Sequence, residues 1–295
     1  MSSAVKLSTS LKTNVTVPDG SVATERTLRL GRGDVRPLWA MAGHAYPTDA
    51  HARAADEILE FFADDRRTDA VLLTGSCARG KSSADSCLDV QVIARDAASL
   101  WEEWERHARE SPPIAELANA GRFSELHLDV GDGSFEIGPV ADEGRLGMLE
   151  VAVGNRLVYA VPLWSNGSRL DELGADWLPY YGEELRIERL AAVGDFARHD
   201  LDHVEPYLAR GLHFQSLARL HRAFQAFLMG LHIARRTYPI SYEKWIHEQV
   251  AENLGLPELY ERLPAILEVS RLESDELAGN ASELRALLDE YIGGD

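Results

Sequence analysis

The 295-residue chain is poor in cysteine, in basic residues and in long apolar runs. Its two cysteines, Cys77 and Cys87, are too few for a disulfide framework, which favours a reducing compartment. Lys and Arg number 30 against 48 Asp and Glu, a formal net charge of −18, so we expect no basic nucleic-acid-binding surface. No apolar run approaches the roughly 20 residues that span a bilayer, and Met1–Asp19 lacks the layout of a signal peptide. We therefore expect a cytoplasmic protein whose partners are neither nucleic acids nor membranes.

The apolar content of 45% is that of a globular chain large enough for one large domain or two modest ones. Residues 1–35 show no sustained periodicity and predict an irregular segment. Residues 36–180 mix strand and helix patterns, whereas residues 181–295 are almost entirely helix-periodic. The sequence therefore predicts an α/β N-terminal domain followed by a helical C-terminal domain.

Short apolar runs and alternating patterns locate the strands. Ala70–Leu73 is a buried run, Leu88–Val92 alternates as a strand buried on one face, and Leu126–Val130 alternates as a third strand. Val151–Val161 predicts a hairpin around Gly154 and Asn155. Helix patterns predict two helices in the N-terminal half, one capped at Thr48 and Asp49 and one over Trp101–Arg109. In the C-terminal half they predict five: Glu188–Ala209, His213–Arg236, Tyr242–Leu254, Pro257–Leu272 and Glu283–Ile292.

The segment Leu72–Val92, LLTGSCARGKSSADSCLDVQV, carries the chemistry, and two interpretations compete for it. Gly75–Ser82 matches the phosphate-binding pattern G-x-x-x-x-G-K-[ST], in which Lys81 would contact phosphate, Ser82 would bind magnesium and Asp129 would be a second magnesium contact. A P-loop requires a helix directly after the motif. The residues that follow are poor helix formers and lead into an alternating run.

The same segment resembles the signature of the nucleotidyltransferase superfamily that shares the fold of DNA polymerase beta. In that signature a strand ends in Gly-Ser, often within G-S-x-A-R-G, and an S-D-x-D pair starts the next strand about ten residues later. Gly75, Ser76 and Arg79 match, with Ala78 and Gly80, and Asp89 lies at the expected distance. The helical second half is similar to the C-terminal domain of small aminoglycoside-type nucleotidyltransferases, with Tyr242-Glu243-Lys244-Trp245 in place of a Tyr-x-Lys-Trp-like element.

The resemblance implies a nucleotidyltransferase domain with a small mixed sheet, followed by a helical-bundle domain. It implies binding of ATP or another NTP with Mg²⁺, and transfer of a nucleoside monophosphate, with AMP the expected one, to a hydroxyl of a small molecule. Gly75, Ser76, Arg79, Lys81 and Lys244 are then the expected nucleotide-binding residues. Asp89 is the expected metal ligand, and Asp129 the expected general base or further metal ligand, with Glu136 as a weaker alternative. The acidic surface favours a cationic acceptor such as an aminosugar.

The chain departs from the family pattern at one carboxylate. Cys87 occupies the first position of S-D-x-D, and if the register starts instead at Asp89, Gln91 occupies the second. A thiol is a soft ligand and an amide carries no charge, so both suit Mg²⁺ poorly. Either Asp85 or Glu136 supplies the missing charge, or one metal ion suffices, or the domain is a nucleotide- or partner-binding module without transfer.

A further candidate site lies in the helical half. His199 and His203 are spaced i and i+4 on one helical face, a spacing that can bind zinc. No third ligand is identifiable from the sequence, so a surface pair without function is the simpler interpretation.

Overall fold

The structure, a computed structural model, describes residues 46–138 and 146–293. The described residues form a mixed α/β protein with one four-stranded sheet and 11 α-helices. The segment predicted to be irregular, residues 1–35, lies outside the described residues, as does any boundary at residue 36.

Contacts between residues divide the described chain into two compact units. The first, which contains the sheet, comprises the residues up to Glu136 together with Ala152–Pro179. The second comprises the described residues of Ile137–Val151 and the chain from Tyr180 onward.

The sheet of the first unit has the strand order β3-β2-β1-β4. β1 is antiparallel to both β2 and β4, whereas β2 is parallel to β3. Because a parallel pair needs a crossover connection, the chain between β2 and β3 forms helices. The strands are β1 (Thr68–Leu73), β2 (Leu88–Ala94), β3 (Leu126–Gly131) and β4 (Val161–Ser165).

Helices of the first unit cover one face of the sheet. The core there combines strand residues such as Val71 and Val90 with Phe62 and Trp104 from the covering helices. The first helix begins where the Thr48 side chain accepts a hydrogen bond from the His51 backbone N–H, as an N-cap residue does. In chain order the helices are α1 (Asp49–Phe62), α2 (Gly75–Ala78), α3 (Ala97–Ala108), α4 (Pro112–Leu117), α5 (Met148–Val153), within which the division between the units falls, a π-helix (Gly154–Val158) and α6 (Arg169–Trp177).

The second unit is helical in its described part and has a core of its own. The apolar stripe predicted along His213–Arg236 is confirmed, because its large residues from Leu220 to Leu231 are buried. Its helices are α7 (Glu183–Asp202), α8 (Val204–Leu208), α9 (His213–Ala234), a π-helix (Glu248–Asn253), α10 (Pro257–Leu267) and α11 (Glu276–Tyr291).

Three sequence-based predictions are corrected by the structure. Val151–Val161 is not a hairpin: it continues α5, passes through the π-helix and reaches β4 only at Val161. Tyr242–Leu254 is not one regular helix, because its first residues form bends and the π-helix follows. β2 is buried on both faces rather than one, since Gln91 and Ile93, on the face opposite Val90 and Val92, are buried as well.

No helix in the described ranges has both the length and the apolar character that crossing a membrane requires.

Candidate functional site

The chain reverses direction between β1 and β2 at Gly75. Gly75 has a φ of +63°, a left-handed conformation that favours glycine. A Cβ atom built on Gly75 would lie 2.1 Å from Oδ2 of Asp89, so the Asp89 carboxylate occupies the space that any other residue would fill. The Thr74 backbone N–H donates to the Asp89 carbonyl oxygen at 2.9 Å. The turn and the start of β2 are therefore fixed against each other.

Asp89 is half-buried and pairs with a histidine that the sequence analysis missed. Nδ1 of His127 lies 2.9 Å from Oδ1 of Asp89, and Nε2 lies 3.8 Å from Oε2 of Glu125. The hydrogen bond with Asp89 raises the pKa of His127 above its ordinary value, although partial burial opposes it. The sequence did carry a signal for His127, because it lies two residues before Asp129 on the same strand and therefore points to the same face of the sheet.

Asp129 lies on the same face of the sheet as Asp89, as the alternation in β3 predicts. In the parallel register, Asp89 is paired with His127 and Gln91 with Asp129. Paired residues point to the same face, and so do residues two apart on one strand. Standard strand spacings then put the Cα atoms of Asp89 and Asp129 about 8 Å apart.

A guanidinium group meets Asp129 on this face. Nη2 of Arg156 lies 3.1 Å from Oδ2 of Asp129. Arg156 belongs to the π-helix after α5, in the segment where the sequence predicted a hairpin, and was not among the predicted site residues. No local pattern pointed to it, because its position depends on the β2–β3 register and on the path of the chain into β4.

The other predicted residues of the turn stay close to Gly75. Nη1 of Arg79 donates to the Gly75 carbonyl oxygen at 2.9 Å, so this arginine stabilises the turn. The Lys81 backbone N–H donates to the Ser76 carbonyl oxygen at 3.0 Å, and the Lys81 side chain is exposed. Ser76 is half-buried in the first turn of α2.

The two cysteines are free thiols beside the turn. Sγ of Cys77 donates to the Cys87 carbonyl oxygen at 3.5 Å, and Sγ of Cys87 donates to the Phe123 carbonyl oxygen at 3.4 Å. Burial raises the pKa of Cys77 to about 11, so this thiol is neutral at physiological pH. Cys77 is thus a small buried thiol, whereas Cys87 is only half-buried.

The remaining predicted residues lie elsewhere. Lys244 is in the second unit, on an exposed bend where its backbone N–H donates to Oγ of Ser241 at 3.3 Å. Glu136 is exposed, five residues beyond the end of β3. Asp85 accepts a hydrogen bond from the Arg122 backbone N–H at 2.8 Å and so stabilises a loop.

The arrangement at Gly75–Ser82 is not that of a P-loop. In a P-loop a helix follows the Lys-Ser pair, whereas here the short α2 lies within the motif and the chain after Ser82 runs through turns into β2. This interpretation of the motif is therefore wrong.

The histidine pair of the helical half lies on α7 and directly after it. The rings of His199 and His203 have centroids 4.4 Å apart, and Nδ1 of His203 is bonded to the His199 carbonyl oxygen at 2.7 Å. One ring nitrogen of His203 is therefore used within the helix. In the part of the chain that the structure describes, no three His, Cys, Asp or Glu side chains group as a metal centre.

Asp89 and Asp129, on the same face of the sheet, are ligands of the type that one magnesium ion takes. Mg²⁺ is commonly held by one or two protein carboxylates together with phosphate oxygens, and Asp89 and Asp129 provide two. The first carboxylate of the S-D-x-D pattern has no counterpart in this register, because Cys87 holds that position.

The comparisons with known proteins give no independent assignment: no protein-family model matches the chain, and no curated protein matches it significantly.

Proposed function

We propose that this protein is a nucleotidyltransferase with a two-domain organisation, a sheet-containing catalytic domain followed by a helical bundle. It binds ATP or another NTP with Mg²⁺ and transfers a nucleoside monophosphate, with AMP the expected one, to a hydroxyl group of a small molecule. The observation that carries the proposal is the contact between Gly75 and Asp89. It holds a carboxylate of β2 against a Gly-Ser turn, on the face that also bears Asp129.

The turn explains how polyphosphate approaches the backbone. Gly75 has no side chain, so the Asp89 carboxylate lies directly against the turn, and a phosphate held through Mg²⁺ on Asp89 would come close to the peptide N–H groups that follow Gly75. Ser76 offers a hydroxyl at the same place, and the exposed Lys81 a positive charge. Lys244 is the further phosphate contact that the family resemblance implies.

The reaction balances without an additional co-reactant. The acceptor hydroxyl oxygen forms a bond to the α-phosphorus, the bond from the α-phosphorus to its bridging oxygen breaks, and pyrophosphate leaves. The proton of the hydroxyl passes to the carboxylate of Asp129, which acts as general base. Asp89 and Asp129 would hold Mg²⁺, which when bound neutralises phosphate charge and lowers the pKa of the attacking hydroxyl.

Charge indicates the class of acceptor. With a net charge of −18, the chain attracts cations and repels polynucleotides. We therefore propose a small cationic acceptor such as an aminosugar. The free thiols Cys77 and Cys87 suit a reducing compartment, and we propose the cytoplasm as the site of action.

A second candidate function is nucleotide binding without transfer. It is favoured by Cys87, which stands where the family pattern has a carboxylate. The Cys87 thiol donates a hydrogen bond to the Phe123 carbonyl oxygen. Loss of one anionic ligand weakens metal binding and activation of the hydroxyl, whereas the turn that contacts the phosphates is unaffected.

The deciding experiment incubates the protein with ATP, Mg²⁺ and a panel of aminosugars, and measures pyrophosphate release and the mass of the acceptor. We expect pyrophosphate and a nucleotidylated acceptor, at least tenfold less of both with Asp89→Asn, and unchanged amounts with Asp64→Asn. Asp64 is exposed, lies in the same unit and makes no contact with the site.

Each other outcome is also informative. ATP binding without pyrophosphate, with activity gained by Cys87→Asp, would establish the second candidate instead. Release of ADP with phosphorylated acceptor would indicate a kinase and contradict nucleotidyl transfer.

A further inference from the structure

Gln91 is the buried residue that the nucleotidyltransferase pattern leaves unexplained. It lies two residues after Asp89 on the same face of β2, and only 2% of it is exposed. A buried amide needs hydrogen-bond partners, because an unpaired one is costly. The hydrogen-bond partner of Gln91 is therefore the group that this residue orients on the face of Asp89.

That partner is Arg156. With its oxygen turned toward the guanidinium, the Gln91 side chain accepts from Nη2 at 2.8 Å and from Nε at 3.2 Å. In the same orientation, its nitrogen donates to the Arg156 carbonyl oxygen at 3.1 Å. Gln91 therefore fixes both the backbone and the side chain of one arginine.

Two further contacts orient the guanidinium. Nη2 is shared with Asp129 at 3.1 Å, and Cζ lies 5.4 Å from the centroid of the Phe135 ring, within the range of a cation–π contact. Three side chains thus hold Arg156 in one position. An arginine on a π-helix fits this role, since such turns are frequent at functional sites.

One nitrogen of the guanidinium, Nη1, is left for a ligand. Nε and Nη2 make the contacts above, whereas Nη1 donates to none of the residues that the structure describes. The side chain is 24% exposed, so it is desolvated in part and still reachable. The Nη1 N–H groups of this fixed arginine are charged donors that suit an oxygen of an oxyanion such as phosphate.

We infer that Arg156 is the polyphosphate-binding residue of this site, and that it supplies from the protein part of the positive charge that a second metal ion would otherwise supply. This inference rests on the proposed function. It explains why Gln91 stands where the alternative register of the pattern places a carboxylate: an amide orients a guanidinium without cancelling its charge. Nucleotide affinity then depends on Arg156 more than on magnesium.

The test is calorimetric titration of the full chain with ATP, in excess Mg²⁺ and in EDTA. For the wild type we expect affinities within about tenfold of each other in the two buffers. Arg156→Gln should weaken ATP binding roughly 10- to 100-fold in both, the usual effect of losing a charge-assisted hydrogen bond, and leave adenosine affinity unchanged. The matched control is Arg169→Gln, which removes the same charge from a partly exposed arginine of the same unit that also bonds to a backbone carbonyl oxygen.

Chemical modification provides a second measurement that needs no variant. Phenylglyoxal labels accessible arginines, and the sites are mapped by mass spectrometry. We expect ATP in EDTA buffer to protect Arg156 from labelling and to leave the labelling of Arg169 unchanged.

The failures are distinguishable. If the wild type binds no ATP in either buffer, the proposed function fails and this inference with it. If ATP binds, but Arg156→Gln binds it as tightly as the wild type or ATP gives Arg156 no protection, the inference is wrong and nucleotide binding stands. Wild-type binding abolished by EDTA would also overturn it, because the metal would then supply the charge.

Discussion

At the scale of single residues, Gly75 links the conformation of the backbone to the position of the Asp89 carboxylate, which we propose to be catalytic. Gly75→Ala must adopt a φ near +63° and displace the Asp89 carboxylate from 2.1 Å away. The conformation alone costs roughly 1–2 kcal/mol. We expect ATP affinity to fall at least tenfold in addition, measured by calorimetry alongside urea unfolding.

Gly255→Ala separates the two effects. Gly255 has nearly the same φ, +66°, but no atom lies within 4 Å of the added Cβ. It should lose a similar free energy of unfolding and bind ATP as the wild type does. Equal ATP affinities for both variants would show that the Gly75–Asp89 contact does not matter for binding.

His232 makes stability depend on pH. It is buried in α9, and burial lowers its pKa to about 4 from an ordinary 6.5. Between pH 6.5 and 4 the unfolded chain binds a proton that the folded chain does not, so stability is lost as the pH falls. The free energy of unfolding should decrease by ~1.4 kcal/mol per pH unit from this group in that range.

The measurement compares urea unfolding of the wild type and of His232→Gln between pH 7 and 4.5. The variant should lose that part of the pH dependence. His221→Gln, an exposed position on the same helix, should retain it. If wild type and His232→Gln have parallel pH profiles, His232 binds protons equally in the folded and unfolded chains, and its burial does not cause the loss of stability at low pH.

Some residues of the candidate site could be predicted from the sequence around them, and others could not. Gly75 and Asp89 were predictable, because the pattern of a turn and the start of a strand depends only on residues close together in the sequence. Asp129 was predictable because apolar and polar residues alternate in β3. His127 and Arg156 were missed, since their contacts depend on the parallel register of β2 with β3. A single sequence carries no direct signal of that register.

At the scale of elements, a buried ion pair joins α5 and α7 within the second unit. Nε and Nη2 of Arg189 donate to the two carboxylate oxygens of Glu150 at 2.7 and 2.6 Å, and the Tyr181 hydroxyl donates to Oε1 at 2.6 Å. The side chains of the pair are at most 1% exposed. Arg189→Met leaves a buried carboxylate without its cation, so we expect a loss of about 3–5 kcal/mol in urea unfolding.

The double variant Glu150→Leu/Arg189→Met tests the cause. Replacing both charges by apolar groups removes the desolvation penalty, so the double variant should be more stable than Arg189→Met alone. Losses that simply add would show that Arg189 acts through packing rather than through the pair.

The elements themselves were predictable where one periodicity prevails over many residues. The α9 stripe and the alternation in β3 are examples, and both are confirmed. The hairpin predicted around Gly154 was wrong, because a Gly-Asn pair suits both a turn and the end of a helix. Leu149 and Val153, spaced four apart and both buried, carried the competing helical signal.

At the scale of the whole molecule, the excess of 18 negative charges predicts how the encounter with the proposed acceptor depends on salt. A cationic aminosugar is attracted over distances near the Debye length, about 10 Å at 0.1 M salt, and this attraction is screened as salt increases. We expect kcat/KM for a polycationic acceptor to fall severalfold between 20 and 300 mM NaCl, and kcat/KM for a neutral acceptor of similar size to change little. The measurement is the rate of pyrophosphate release at low acceptor concentration.

The neutral acceptor is the control, because salt also weakens ATP binding and would lower both rates together. A ratio of the two kcat/KM values that stays constant across the salt range would mean that charge does not select the acceptor. The same field predicts that a single-stranded oligonucleotide is not used as acceptor even at 20 mM salt. Use of the oligonucleotide would require a basic patch local enough to overcome the net charge, and would place the acceptor among the polynucleotides.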